Sequence, residues 1–245
     1  MPHYYTLDLG PGFMEELRET LATMVKPVRI EVFVGPGCET CGDTLKLVKA
    51  FEEVAPSAGG RKLIEVIVYD KSNPEHLGVF REKGVDRVPT IGVIDARIIR
   101  YTGIPAEEEI RGFVETIMRI SEDDSGLEEE TKRILATLKS KVHIETIVTP
   151  QCPYCPYAAL LSNMFAFEAW KQGNPVVLSD TVEAYENPDI ADKYGVMSVP
   201  AIALNGRLVF VGVPYEEDFI HYVRAAAENR LDDLIMRDFG GATQF

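Results

Sequence analysis

One pattern occurs twice along the chain, and any fold has to accommodate both copies. Strand-like residues 28–34 lead through Gly35-Pro36-Gly37 into Cys38-Glu39-Thr40-Cys41 and then a helical run carrying Leu45, Val48 and Phe51. The β-branched stretch from Val142 to Thr149 leads into Cys152-Pro153-Tyr154-Cys155, and a helical run follows as far as Trp170, before Gly173 can end it. Later landmarks keep step: Cys152 follows Cys38 by 114 residues, Pro200 follows Pro89 by 111 and Gly212 follows Gly103 by 109. Gly-Val-Asp-Arg-Val-Pro at 84–89 matches Gly-Val-Met-Ser-Val-Pro at 195–200, and Gly-Ile-Pro-Ala-Glu-Glu at 103–108 matches Gly-Val-Pro-Tyr-Glu-Glu at 212–217. A period this long implies two domains, 1–124 and 125–245, and not a solenoid of small repeats. Each half carries a formal charge of −7.

Between these landmarks the periodicity predicts a helix-led α/β unit in each half. The first has a helix at 11–25, a loop at Pro56–Gly60, a strand at 63–69, a helix at 74–83, strands at 90–94 and 98–102, and a helix at 106–120. After the acidic break at 122–126, the second has a helix at 127–139, a strand at 175–180, a helix at 188–194, strands at 200–204 and 207–211 around Asn205-Gly206, and a helix from 215 to about 228. The tail from Leu231 to Phe245 is expected to form a short docking helix through Leu234, Ile235 and Met236.

A chain of 245 residues is long enough for two cores, and its net charge of −14 opposes binding to nucleic acid or anionic membranes. No apolar run approaches the ~20 residues that a membrane helix needs, and the start of the chain lacks a signal-peptide pattern. The expected compartment is the cytoplasm. All four cysteines fall in the two Cys-x-x-Cys pairs, which favours catalytic or metal use over a secreted disulfide framework. Six Asn and three Gln are few for this length and hint at a protein built for heat. In hyperthermophiles, disulfides are common even in the cytosol.

A cysteine between a strand and a helix N-terminus lies near unpaired N–H groups and the positive end of the helix dipole, which favour the thiolate. The thiolate attacks disulfides, and a second cysteine three residues on can release the mixed disulfide. Strand, Cys-x-x-Cys, helix and a later Val-Pro before a hairpin resemble the thioredoxin fold, and Cys-Pro-Tyr-Cys resembles the glutaredoxin active site. Two such units, each with an extra leading helix, resemble the glutaredoxin-like protein disulfide oxidoreductases of thermophilic archaea and bacteria over essentially the whole chain. The resemblance implies two tandem thioredoxin-like domains, each a mixed central sheet flanked by helices.

It further implies that Cys38 and Cys152 are exposed attacking thiols, that Cys41 and Cys155 are buried resolving thiols, and that Pro89 and Pro200 are cis. Val88 and Val199 would then offer backbone for pairing with an extended substrate. The partners implied are proteins with thiols or disulfides and a thioredoxin-reductase-like flavoprotein, with no cofactor beyond the redox-active disulfides. Glu31 and Glu145 each precede the first cysteine of their pair by seven residues, inside a strand that the fold would cover. Such a carboxylate either takes a proton from the resolving thiol, as the buried acid of thioredoxins does one residue nearer its cysteine, or reaches water at a strand end.

The two sites are not expected to be equivalent. Glu39 opposes a thiolate on Cys38, whereas Pro153 and Tyr154 add no charge beside Cys152, so the C-terminal site should be the more reactive. Tyr154 is expected to shield Cys155, and Trp170 to lie in the core with Phe165 and Phe167. The histidines at 3, 76, 143 and 221 adjoin no cysteine in sequence and read as structural or solvated. Two other functions use the same cysteines. One is an electron carrier between a flavoprotein and a single client enzyme, and the other is a zinc module, for which pairs this far apart are poorly placed.

Overall fold

A computed structural model describes residues 4–239. The N-terminal half runs α1 (Pro11–Leu21), β1 (Val28–Val34), α2 (Cys41–Val54), β2 (Ser57–Ala58), β3 (Arg61–Lys62), β4 (Ile64–Asp70), α3 (Leu77–Lys83), β5 (Thr90–Val93), β6 (Ile99–Thr102) and α4 (Glu109–Glu122). The C-terminal half runs α5 (Glu129–Thr137), β7 (Val142–Val148), α6 (Cys155–Lys171), β8 (Val177–Glu183), α7 (Pro188–Tyr194), β9 (Ala201–Leu204), β10 (Arg207–Val211), α8 (Glu216–Ala227) and α9 (Leu231–Phe239). The expected loop at 56–60 instead makes a two-residue hairpin between β2 and β3, turning at Gly59-Gly60. The tail forms α9, which docks on the molecule's own α8: Leu231 and Ile235 are buried there, and the Tyr222 hydroxyl donates to Asp238 at 2.9 Å. Residues 240–245 of that expected tail, and His3, lie outside the described residues.

The halves fold alike because their patterns are alike. Near-continuous apolar strands β1 and β7 need cover on both faces, and each lies centrally, parallel to β4 or β8 on one side and antiparallel to β5 or β9 on the other. The two mixed sheets are one. Strand β6 of the first half pairs in parallel with β8 of the second, from Ile99 opposite Ser179 to Thr102 opposite Val182, giving the order β10-β9-β7-β8-β6-β5-β1-β4.

Side chains alternate across the sheet. Ile30, Val32 and Val34 join one continuous core with Leu47 and Phe51 of α2, Phe113 and Ile117 of α4, Phe165 of α6, and Phe219 and Val223 of α8. Phe33 faces the other way, into a smaller cluster with Phe80 of α3, Val85 and Ala96. Helix α6, packed between the halves, is apolar around most of its circumference for that reason. Where α4 meets α6 the backbones nearly touch: a Cβ on Gly112 would come 3.1 Å from Pro156 Cα. Trp170, expected in the core, is 40% exposed at the end of α6 and stacks its ring on buried Phe167.

Polar groups close the junction as well. Asn163 of α6 donates to the Tyr101 hydroxyl at 2.9 Å and accepts from Ser179 at 2.7 Å, while Asp180 accepts from Arg100 at 2.8 Å and Thr102 at 2.7 Å. Burial would push the Asp180 carboxyl up, but the His143 ring, 3.6 Å away, and the Arg100 charge hold it below the usual carboxylate range. Arg87 grips Asp189 with two hydrogen bonds, at 2.5 and 2.9 Å.

Candidate redox sites

Both cysteine pairs close into disulfides at equivalent places, past the end of a central strand and at the start of the following helix. The Cα–Cα separations are 5.5 Å for Cys38–Cys41 and 5.4 Å for Cys152–Cys155, within the normal range for a disulfide. In the C-terminal site the Cys155 amide donates to Cys152 Sγ at 3.1 Å. The same amide also reaches the Cys152 carbonyl at 3.3 Å, and being at a helix start, with no partner from an earlier turn, it is free to aim at the atom that carries charge when the pair is reduced. Pro156 sits in the first turn of α6, where a missing N–H is tolerated.

Cys155 and Cys41 are buried, at 0% and 7% exposure, and Cys38 is half-buried. Cys152, expected to be exposed, is also buried, at 8%. Val148 and Val199 pack around both sulfurs of that pair in the closed disulfide. Tyr154 does not shield Cys155: it points outward and is largely exposed, as are Tyr157 and Met197. The C-terminal site thus opens on an apolar surface.

The N-terminal site has different walls. Cys38 lies in a cleft of about 280 Å³, with Val88 and Pro89 on one side and Glu183, Tyr185 and Glu186 of the other unit facing it. Thr40, next to Cys41, donates its hydroxyl to Glu186, whose other oxygen accepts from the Ile104 amide at 2.7 Å. Tyr5 donates to Asp43 at 3.2 Å, and burial, together with Asp43, pushes its phenol up. The Val88–Pro89 and Val199–Pro200 bonds are both cis, with Pro89 beside Cys38 in the cleft and Val199 packed on the Cys152–Cys155 pair.

Glu31 and Glu145 are buried but turn away from the sulfurs. Glu31 shares the Phe33 side of β1, where it accepts from Lys83 Nζ and the Ala96 amide, both at 3.0 Å, whereas Cys41 packs in the core on the opposite face. Glu145 takes a hydrogen bond from Tyr194 and lies 3.8 Å from Lys193 Nζ. The side-chain alternation of a strand that puts a residue seven before the cysteine on the α3 or α7 side corrects the proton-acceptor expectation for both.

Two other acids lie between the sites. Glu109, at the start of α4, is raised to about 8 by burial and by the nearby Glu183 charge, and Glu183, at the end of β8, is raised to about 7 by burial. In sequence, Glu109 is the third of three consecutive glutamates at a helix start and reads as a solvated N-terminal charge. The only sign otherwise is that Phe113 and Ile117 follow it at the four- and eight-residue spacing of one helix face.

Among the described residues no group of three or more His, Cys, Asp or Glu converges as a metal site requires, and no helix is long and apolar enough to cross a membrane. A thioredoxin-domain family model matches residues 28–115 and again 142–224. A thioredoxin of Methanocaldococcus jannaschii is 35% identical over 85 residues, which cover 35% of this chain and 95% of that one. The structure of a protein disulfide oxidoreductase from Aeropyrum pernix K1 superposes with a TM-score of 0.90 at 63% identity, covering 93% of this chain and 97% of that one. The NTD_N/C domain of alkylhydroperoxide reductase AhpF from Enterococcus faecalis shares the fold at 20% identity, with a TM-score of 0.73 over 88% of this chain and all of that one. With both halves matched and both dithiols at the strand–helix corners where exchange chemistry is favoured, the chain belongs to the thioredoxin-domain family and is a thiol–disulfide oxidoreductase built from two such domains.

Proposed function

We propose that this oxidoreductase forms, reduces and isomerises disulfides in protein substrates, with Cys152 and Cys38 as attacking thiols and Cys155 and Cys41 as resolving ones. The observation that carries this reading is the C-terminal dithiol at the α6 N-terminus, with the Cys155 amide on Cys152 Sγ and exposed Tyr154, Tyr157 and Met197 nearby. An apolar surface around a thiolate suits an extended or incompletely folded polypeptide better than a small polar disulfide. Backbone at Val199, and at Val88 in the other unit, offers such a segment a pairing edge.

In reduction, the Cys152 thiolate attacks one sulfur of a substrate disulfide, the substrate S–S bond breaks, and the departing substrate sulfur takes a proton. Cys155 then loses its proton and attacks Cys152 Sγ, which expels the second substrate thiol and closes the Cys152–Cys155 disulfide. The reverse sequence oxidises a substrate dithiol. Isomerisation follows when another substrate thiol, in place of Cys155, attacks the mixed disulfide. The same steps apply at Cys38 and Cys41, where Glu39 and the acidic wall of the cleft disfavour the thiolate. A flavoprotein reductase of the thioredoxin-reductase type, working in the cytoplasm, would return both pairs to dithiols.

The test is insulin reduction with dithiothreitol by wild type, Cys38→Ser and Cys152→Ser. Loss of most activity in Cys152→Ser and of little in Cys38→Ser is expected. Equal activity in the two variants would remove the distinction between the sites, and an inactive wild type would remove the proposed function.

A further inference from the structure

The two redox sites share their thiol chemistry but not their walls. The cleft around Cys38 collects acidic and aromatic side chains from three stretches of the chain. Glu39 comes from the N-terminal unit, Glu183, Tyr185 and Glu186 from the C-terminal unit, and Tyr4 and Tyr5 from the segment ahead of α1. No lysine or arginine is among the described residues that line it. Beside Cys152 the exposed side chains are instead Tyr154, Tyr157 and Met197, none of them charged.

The acidic charge of the cleft has no counter-ion in its walls. Glu39 is exposed and has no ion-pair partner among the described residues, and Lys46 of α2 is engaged by Asp43 at 2.7 Å. Glu186 accepts from the Thr40 hydroxyl and, at 2.7 Å, from the Ile104 amide, two neutral donors that fix the carboxylate beside the dithiol and leave its charge in place. Arg87 touches this wall through Asn187 at 3.2 Å, but its own charge is met by Asp189 at 2.5 Å.

The aromatic part is built jointly. The Tyr4 and Tyr185 rings lie 5.3 Å apart, both about half exposed, and Gln151 donates to the Tyr4 carbonyl at 2.7 Å. Tyrosine faces attract cations as carboxylates do. A segment paired along Val88 advances about 3.3 Å per residue, so side chains one or two places from its reacting cysteine fall within the cleft.

We propose that the Cys38 site selects thiol–disulfide partners that carry Lys or Arg beside the reacting cysteine, with Glu39, Glu186 and the Tyr4–Tyr185 pair as its specificity-determining residues. This deepens the reading of Cys38 as an attacking thiol and rests on it. The net charge of −14 attracts any cationic peptide to the whole molecule. The mark of the cleft is therefore a charge preference at Cys38 in excess of that at Cys152.

The test uses two self-quenched fluorescent peptide disulfides, one with Arg-Cys-Arg arms and one with Glu-Cys-Glu arms. Each is mixed in a single turnover with reduced protein freed of dithiothreitol. The Cys38 thiolate attacks the peptide S–S bond and releases one peptide thiol. Cys41 then loses its proton and expels the other, so the dithiol is oxidised by the two electrons that reduce the peptide. With only the N-terminal dithiol present (Cys152→Ser with Cys155→Ser), the Arg-over-Glu rate ratio should exceed that of the converse variant (Cys38→Ser with Cys41→Ser) about 10-fold at low salt. That excess should shrink about threefold or more in about 1 M NaCl, and by a similar factor on Glu39→Gln. A second measurement needs no variant. Wild type is given less than one equivalent of either peptide, quenched early with acid, alkylated and analysed by mass spectrometry. The Arg peptide should leave a larger share of the new disulfide on Cys38–Cys41 than the Glu peptide does. Equal charge preference at the two sites, or an excess that neither salt nor Glu39→Gln reduces, overturns the proposal while leaving Cys38 as an attacking thiol. Failure of either peptide to oxidise the Cys38–Cys41 pair in wild type overturns that reading and the proposal with it.

Discussion

Replacing Glu109 by glutamine should make the protein's stability less sensitive to pH, in a direction opposite to the usual loss of a carboxylate. Burial raises the Glu109 carboxyl from 4.5 to about 8. Between those values the folded chain holds a proton that the unfolded chain has released, so each pH unit upward removes about 1.4 kcal/mol of stability. The contribution is complete below pH 4.5, where both states are protonated, and fully lost once pH exceeds the folded value of about 8. The whole span corresponds to about 5 kcal/mol, and the part between pH 5 and pH 8 to roughly 3–4 kcal/mol. Glutamine does not titrate. Guanidinium unfolding of both proteins, oxidised and at constant ionic strength, should give a stability difference, variant minus wild type, that rises by roughly that amount from pH 5 to pH 8. Any fixed cost of burying the amide cancels from the slope. A difference that stays constant with pH to within about 1 kcal/mol would refute the buried-acid reasoning.

Two further outcomes follow from the packing. Lys83→Ala should destabilise the protein by about 3–5 kcal/mol, because Lys83 Nζ sits 3.0 Å from the Glu31 carboxylate and 2.7 Å from Asp95, and its removal leaves Glu31 charged and buried. Adding Glu31→Leu to that variant should recover most of the loss in the same denaturation assay. Gly103 and Gly212 occupy matching places in the two halves, with φ of 110° and 102°, but a Cβ at Gly103 would meet Glu183 Cβ at 2.7 Å whereas one at Gly212 meets nothing within 4 Å. Gly212→Ala should therefore lower stability by about 1–2 kcal/mol and Gly103→Ala by about twice that or more, read as unfolding midpoints.

The duplication was legible because the landmarks are local: a cysteine pair between a strand and a helix, a Val-Pro ahead of a hairpin, a Gly-x-Pro before the last helix. Each is short enough to be read from neighbouring residues, and repetition at matching distances made the readings support one another. The two-residue hairpin at 57–62 was missed because a strand of two residues has no periodicity to read. Trp170 was misplaced because its helix is apolar on nearly every side, which hides where the covered face ends.

What lies between the halves could not be read in the same way. The pairing of β6 with β8, the contact of Gly112 with Pro156 and the approach of Glu109 to Glu183 join residues 44 to 80 positions apart, and no local pattern encodes which edges meet. Even the sense of Glu31 and Glu145 was open, since burial follows from an apolar strand but the face depends on strand alternation relative to helices packed from elsewhere. By itself, then, the sequence determined the two α/β units, their dithiols and the chemistry those dithiols favour. The tertiary structure decided that the units share one sheet and that Glu183 and Glu186 of the second unit line the cleft of Cys38 in the first, because such contacts depend on long-range geometry and not on residues near in the chain.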